Sequence, residues 1–473
     1  MNRLKIGIAG ASGFVGRYLI EALLKEGHSV VALSRRDRSH ENKKNLKWVT
    51  CDLFSRRDAR LGLEGCQIAY YLTHSMIPSA RLSQGNFADY DLVLADNFAR
   101  AARFNQLQQI IYLGGIIPQD YSLSRHLLSR LEVERTLKAS KVPLTSLRAG
   151  IILGPEGSSF RIMYNLVKKL PIMVCPSWTG TLSNPISIWD MISYLVYCVG
   201  SEGVYNKFFD VGGKTTLSYI EMMRILSEKL NKKRLLLMVP FFSPHLSRLW
   251  VTKFSGAPKD LVYPLIGSLK THMVPNVNHS LGEVADKGMT YVEAIDRIIK
   301  ESDNLGKTPS AFQYSGVAND KSVRSIQRLE TLYRFNAWEV SELYFNWLHS
   351  NFPVIAIRRT TDRINICVSG FSKPLISLEK NAEISSKDYC VFYIKEGSLS
   401  MGGGRGRLIF RTIIDGRNTM VEIHEFVPRL PWYIYKFTQA LFHLATMKMF
   451  NRYLLRIQKN IGVEEVRSTM ISG

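Results

Sequence analysis

The sequence predicts an α/β fold with a doubly wound parallel sheet, followed by a smaller α+β domain built on an antiparallel sheet. Three observations predict it. Short apolar runs alternate with amphipathic stretches from Leu4 to about Ile152. A glycine-rich turn joins the first run to the first amphipathic stretch. Past residue 318 the pattern changes to short alternating runs that end in one long helical stretch. Parallel strands need crossover helices between them, whereas alternating runs joined by tight turns build antiparallel sheets.

In the first part the expected strands are Leu4–Ala9, Ser29–Ser34, Lys47–Thr50, Ile68–Leu72, Gln109–Leu113 and Leu144–Ala149. The stretches Gly16–Glu26, Asp89–Phe104 and His126–Ala139 supply crossover helices. From Ile152 to about Lys300 the pattern is less regular. Helix signals at Arg161–Lys169, Ser187–Val199 and Ser218–Lys229 precede a turn-rich stretch with Pro240, Pro244, Pro258, Pro264 and Pro275. This reads as a substrate-facing extension, so residues 1–302 are expected to form one domain. Residues 303–317, with Asn304, Gly306, Pro309, Ser310, Ser315 and Gly316, read as a linker. In residues 318–473 a helix at Ala337–Leu348 precedes strands at Val354–Arg359, Asn365–Ser369, Tyr389–Lys395, Arg407–Ile414 and Met420–Glu425. Asp415-Gly416 is a hairpin signal, and one helix from Pro431 to about Gln458 closes the pattern.

The strongest motif is Gly7-Ile8-Ala9-Gly10-Ala11-Ser12-Gly13-Phe14-Val15-Gly16. Gly10 allows the tight turn, Gly13 the approach of a pyrophosphate, and Gly16 the packing of the helix. Backbone N–H groups of the loop, with Ser12, Phe14 and Val15, then face a diphosphate at the positive end of a helix. This is a Rossmann dinucleotide-binding fingerprint. The second strand ends in Ser34-Arg35-Arg36, with no acid for ribose hydroxyls. Arg35 or Arg36 suits a 2′-phosphate, so NADP(H) is the expected cofactor, with NAD as the alternative.

A net charge of +22 fits anionic partners without choosing among them. Nucleic acid is not expected, because no helix-turn-helix, zinc or RNA-binding signature accompanies the charge. The six cysteines form no C-x-x-C pair and lie away from histidines at metal-ligand spacing, so no metal is expected. They read as reduced thiols, which implies the cytoplasm. The first residues lack the plan of a signal peptide, and no apolar stretch reaches the roughly 18 residues of a membrane span. Peripheral membrane contact is left open, and the oligomeric state is not indicated.

With those residues, the chain up to about 300 resembles the short-chain dehydrogenase/reductase superfamily. The run Ala69-Tyr70-Tyr71-Leu72-Thr73-His74-Ser75-Met76, then Ile111-Tyr112-Leu113-Gly114-Gly115 and Leu147-Arg148-Ala149-Gly150-Ile151, is similar to its atypical, nitrogen-regulator-like branch. The resemblance implies that Asp52 and Leu53 lie at the adenine and that Leu72, Thr73, His74 and Gly114 line the cofactor. It also implies a catalytic Ser, Tyr and Lys, from which this sequence departs. Gly114 stands at the serine position, and no Tyr-x-x-x-Lys follows. Two frames replace it: Tyr121 with Arg125, and His126 with Arg130 and Glu134 one turn on. The second fits the helix better, with His126 and Arg130 as the expected catalytic pair and His126 expected to carry a proton near neutral pH. Residues from 318 onward resemble the helix-grip fold of polyketide cyclases and lipid-transfer domains, which implies an apolar ligand. Lys436, His443, Lys448 and Arg452 on the last helix also suit a membrane surface. The expected activity is an NADP(H)-dependent oxidoreductase acting on a small or lipid-like substrate. The competing expectation is a noncatalytic protein that senses NADP(H) or assists assembly.

Overall fold

The strand Lys5–Ala9 (β1) is buried at every residue after Lys5, as a strand covered on both faces must be. In the computed structural model the chain continues through Phe14–Lys25 (α1), Ser29–Ser34 (β2), Leu46–Thr50 (β3), Arg56–Gly62 (α2), Ile68–Tyr71 (β4), Leu82–Gln84 (β5), Phe87–Phe104 (α3) and Gln109–Gly115 (β6). Then come Arg125–Lys138 (α4), Leu144–Ala149 (β7), Ser158–Lys169 (α5), Ile172–Pro176 (β8), Ile188–Tyr197 (α6), Phe208–Val211 (β9), Tyr219–Lys229 (α7), Leu235–Val239 (β10), Lys259–Ser268 (α8) and Tyr291–Glu301 (α9). The structure describes residues 3–74, 82–118, 123–239, 251–282, 288–301, 322–331, 335–401, 405–413 and 418–460. The expected linker 303–317, the Asp415-Gly416 hairpin and Tyr121 lie outside the described residues.

Contacts divide the chain into two units, Met1–Ile77 with Asp91–Ser315, and Pro78–Tyr90 with Gly316–Gly473. The first unit holds a seven-strand sheet of order β9-β7-β6-β4-β1-β2-β3, parallel throughout. Strand order reverses between β1 and β4, which opens a crevice at the carboxyl ends of the central strands. The apolar face of α1, with Leu19, Ile20 and Leu23, packs on Ile6 and Ile8 of β1 and on Met191 and Leu195 of α6. All six expected strands are present, with ends shifted by two residues at most. The sequence reading did not contain β9, a four-residue edge strand that includes Asp210, nor the parallel pair β8 and β10. Runs this short carry little periodicity.

In the second unit the chain runs Val323–Leu329 (β11), Ala337–Asn351 (α10), Ile355–Arg359 (β12), Arg363–Val368 (β13), Pro374–Lys380 (β14), Tyr389–Glu396 (β15), Arg407–Ile413 (β16), Asn418–Phe426 (β17), Trp432–Phe437 (α11) and Gln439–Asn460 (α12). The sheet order is β12-β13-β14-β15-β16-β17-β11-β5. Every pair from β12 through β17 to β11 is antiparallel, and β5 adds a parallel edge. Phe345 and Leu348 of α10 and Met447, Phe450 and Leu454 of α12 share one core with Phe392, Phe410 and Val421 of the sheet.

The expected single terminal helix is two helices. Thr438 leaves helical geometry, at φ −124° and ψ −86°. Its hydroxyl donates to the Ile434 carbonyl at 2.6 Å, a bond that competes with the backbone ladder and bends helices.

Candidate functional site

The glycine turn sits where β1 hands over to α1. Gly10 has φ +87°, and a Cβ there would stand 2.9 Å from the Leu72 carbonyl. Both facts require glycine. A Cβ on Gly16 would stand 2.4 Å from the Gly10 oxygen and 2.7 Å from the Ala11 oxygen, so Gly16 lets the helix close on its own turn. A Cβ on Gly13 would meet only the Gly10 oxygen, at 3.1 Å. Gly13 is also the N-cap of α1, and no side chain caps the helix. The first N–H groups of α1, at Phe14 and Val15, therefore stand without a side-chain acceptor, which suits a diphosphate.

Ser12 lies exposed on the turn beside Gly13. Arg35 and Arg36 follow β2 and are exposed. The next arginine, Arg38, is not available to a ligand. It pairs with Glu41 at 2.7 Å and lies over the Trp48 ring at 4.3 Å. Asp52 is half-buried after β3, and its Oδ1 accepts from the Phe54 N–H at 3.1 Å. Leu53 is buried beside it.

At the far side of the crevice, Leu72, Thr73 and His74 leave β4 half-buried. His74 Nδ1 and the buried Asp91 carboxylate of α3 lie 2.9 Å apart. Ser129 of α4 donates to the same carboxylate oxygen at 3.4 Å. His126 Nδ1 lies 2.9 Å from Ser268 Oγ of α8, which in turn lies 2.9 Å from Ser124 Oγ. Ser124 also caps α4 by accepting from the Leu127 N–H. The two imidazoles stand 5.2 Å apart. Among the described residues, neither Nε2 has a hydrogen-bond partner although both are shielded, and the same holds for Thr73 Oγ1 and Tyr71 Oη. Polar atoms left so are costly unless a ligand completes them.

Burial lowers the pKa of His126 well below its ordinary value, and the His74 and Arg130 charges add to this. Burial and Arg130 also lower His74, against the pull of Asp91. The expectation that His126 titrates near neutral pH is therefore corrected. Both rings are neutral there, because a cation is disfavoured in a shielded site that already holds a guanidinium. Arg130 also acts on Tyr112. Burial pushes that phenol up to about 12, and the Arg130 charge and hydrogen bond oppose the rise.

Glu134 does not pair with Arg130. It takes Arg148 of β7 at 2.6 Å and 3.0 Å, and accepts from Ser146 at 2.6 Å. The helix face is thus a buried structural clamp below Arg130 and a site above it. At Gly114 a Cβ would stand 2.8 Å from the Tyr112 ring, so that ring fills the space a serine would need. Sequence reasoning missed Asp91, Ser268 and Tyr112. Asp91 left one signal, an acid on the apolar face of α3. Ser268 left none, since it lies 142 residues from His126.

Next to this site is an apolar cavity of about 100 Å³, lined by Ile162, Met163, Val174, Trp178, Ile266 and Leu269 among others. Helix α8 joins the two: Ser268 meets His126 while Ile266 and the adjoining Leu269 face the cavity.

Residues 6–161 match the model of the NAD dependent epimerase/dehydratase family. Fold and glycine turn define the first unit as an NAD(P)-binding Rossmann unit, similar over residues 6–161 to that family. Among curated proteins the chain is 29% identical over 111 residues to the auxiliary protein GraX of Staphylococcus aureus, covering 24% of this chain and 36% of that one. It is 26% identical over 194 residues to a ceramide reductase of Caulobacter vibrioides, covering 40% of this chain and 59% of that one. The chain thus spans between about a third and three fifths of the length of these relatives. Among solved structures, the NADP(H) complex of a Citrobacter sp. triphenylmethane reductase has a TM-score of 0.50 at 16% identity, over 62% of this chain and 99% of that one. An NADPH-dependent quinone oxidoreductase from Escherichia coli gives the same TM-score, identity and coverage.

Proposed function

We propose that the protein is an NADP(H)-dependent reductase of a lipid-like or otherwise largely apolar substrate. The observation that carries this reading is the pair of shielded, neutral imidazoles with unpartnered Nε2 atoms, next to an apolar cavity. Gly10, Ser12, Gly13, Phe14, Val15 and Gly16 would hold the diphosphate, Arg35 and Arg36 the 2′-phosphate, and Asp52 and Leu53 the adenine. Bound NADPH would supply a hydride.

His126 and Arg130 act at the reacting oxygen. A hydrogen-bond chain donating from Ser124 through Ser268 to His126 Nδ1 leaves the His126 Nε2–H as donor to a substrate carbonyl. The Arg130 charge stabilises the oxyanion that grows as hydride arrives. The Nε2 proton passes to that oxyanion while Nδ1 takes a proton from Ser268, which is resupplied by Ser124 and that in turn by solvent. The ring stays neutral with its proton on Nδ1 and returns to the Nε2–H tautomer between turnovers. His74, held by Asp91, packs beside the reacting ring and limits its movement. The cavity takes the apolar part of the substrate.

The test follows NADPH absorbance against long-chain ketones and quinones. Turnover that falls at least about a hundredfold in His126→Ala, with NADPH affinity retained, supports the reading. Tight NADPH binding without turnover on any of them would sink it. That outcome favours the second reading, a noncatalytic sensing or assembly protein. Its support is the Gly114 that replaces the family's serine and the likeness to a protein named as auxiliary. The helix-grip assignment of the second unit, and an apolar ligand there, belong to this proposal too, supported by the order of its elements.

A further inference from the structure

The face formed by α11 and the first turns of α12 has no role in the reduction proposed above. Tyr433 and Phe437 are each 69% exposed, Leu441 55% and Phe442 54%. Large aromatic side chains rarely stand so open in a cluster unless something covers them. Their neighbours Tyr435, Phe450 and Leu454 point the other way, into the core. The exposed side is therefore a second apolar face, not a loosened core.

Exposed positions along α12 recur at Leu441, Ala445, Lys448, Arg452 and Arg456, spaced by three or four residues. That spacing makes one stripe on a helix. The stripe changes from apolar at its start to basic at its end. Lys436 adds a cation on α11, 5.5 Å from the Phe437 ring. Between Glu425 and Glu464 the sequence contains no acid and six lysines or arginines.

We propose that this face docks the protein on an anionic lipid bilayer. Tyrosine and phenylalanine rings suit the headgroup boundary, and lysine and arginine suit the phosphates beside it. A second copy of the chain fits worse. A twofold contact through this face would bring its cations against each other with no acid in the stretch to pair them. No described helix is long and apolar enough to cross a membrane, so the contact lies on the surface.

The experiment uses the full chain and sedimentation with vesicles of phosphatidylcholine, with and without phosphatidylglycerol. Binding is expected only with phosphatidylglycerol present, and it weakens as salt rises. The double variants Tyr433→Ser/Phe437→Ser and Lys448→Gln/Arg452→Gln change exposed side chains, and unchanged melting temperatures confirm that they fold. Each is expected to weaken vesicle binding on the order of tenfold or more. Absence of binding to anionic vesicles overturns the proposal. Undiminished binding by both variants also overturns it, because the contact then lies elsewhere on a basic chain. A dimer that either variant breaks, without vesicle binding, assigns the face to a second copy instead. NADPH oxidation does not enter the readout, so this proposal and the reductase reading fail separately.

Discussion

Arg35 stands exposed just past β2. Arg36 is exposed beside it, and Arg38 pairs with Glu41 and lies over the Trp48 ring. A 2′-phosphate held by such guanidiniums gains roughly 1.5–3 kcal/mol, the range for charged hydrogen bonds. The expected preference for NADPH over NADH is therefore about 10- to 150-fold. Arg35→Ala/Arg36→Ala should remove most of it and leave NADH affinity nearly intact. Paired dissociation constants check this; equal affinity of the natural chain for both cofactors would show that the arginines do not read the phosphate. The two glycines of the turn make a contrasting pair. At Gly13→Asp the Cβ meets only the Gly10 oxygen, at 3.1 Å, which a shift of the turn by a few tenths of an ångström relieves, so the fold should persist while the carboxylate repels the diphosphate and abolishes NADPH binding. Gly16→Ala drives a methyl into two backbone oxygens and should cost about 3 kcal/mol of stability. Calorimetry on the first and denaturant melts on the second separate binding from folding. A Gly16→Ala chain as stable as the natural one would refute the close packing.

Helix α4 carries His126 and Arg130 at its exposed-to-crevice end, and its register is held by Glu134. The Glu134 and Arg148 side chains are 13% and 10% exposed, and Arg148 also lies over the Phe208 ring of β9 at 3.8 Å. One carboxylate thus ties α4 to β7, and through Arg148 to the Phe208 ring of β9. Glu134→Gln leaves Arg148 charged, shielded and without its acid, which should cost about 3 kcal/mol. It should also lower turnover, because the helix that positions His126 loses its anchor. A change below about 0.5 kcal/mol in chemical denaturation, within the range of an ordinary surface substitution, would show that the pair is not structural. The same helix shows how far the sequence could be read. The spacing of His126, Arg130 and Glu134 was visible as one face. The identity of Glu134's partner was not, since Arg148 lies on a different strand and competes with Arg130 only after folding.

Across the whole molecule, burial lowers the pKa of His28, His74 and His126, and brings His424 and His443 down to about 4. A folded pKa below the ordinary 6.5 means that the unfolded chain binds protons first as pH falls. Stability is then full above about pH 6.5 and is lost between there and about 4. At pH 5, His424 and His443 each cost about 2 kcal/mol. Glu422 acts with the same sign. Burial raises its pKa, but Arg411 at 2.5 Å and His424 at 2.7 Å outweigh that, so its net pKa is lowered and its protonation also destabilises. Asp210 opposes this weakly, because burial raises its pKa. Melting temperature should therefore fall steadily from pH 7 to pH 5. A flat or rising profile over that interval would mean that these histidines are not buried neutral.

What the sequence by itself determined is local. The strands β1 to β4, β6 and β7, the helices α1, α3 and α4 and the glycine turn follow from hydrophobic periodicity and from Gly10 and Gly16, where a side chain does not fit; α2, only seven residues long, was not read. The bare end of β2, where an acid is missing and two arginines stand, is local in the same sense. The tertiary structure alone decided what depends on residues far apart in the chain. It joined Leu82–Gln84 to β11, some 240 residues later, and set Ser268 on His126 and Asp91 on His74. It also turned His126 from an imidazole expected to titrate near neutral pH into a buried, neutral ring. Desolvation sets that ionisation first, with the His74 ring and the Arg130 guanidinium adding to it. Arg130 was visible one turn along the helix, but the burial and the approach of His74 come from packing, which no stretch of sequence around residue 126 contains.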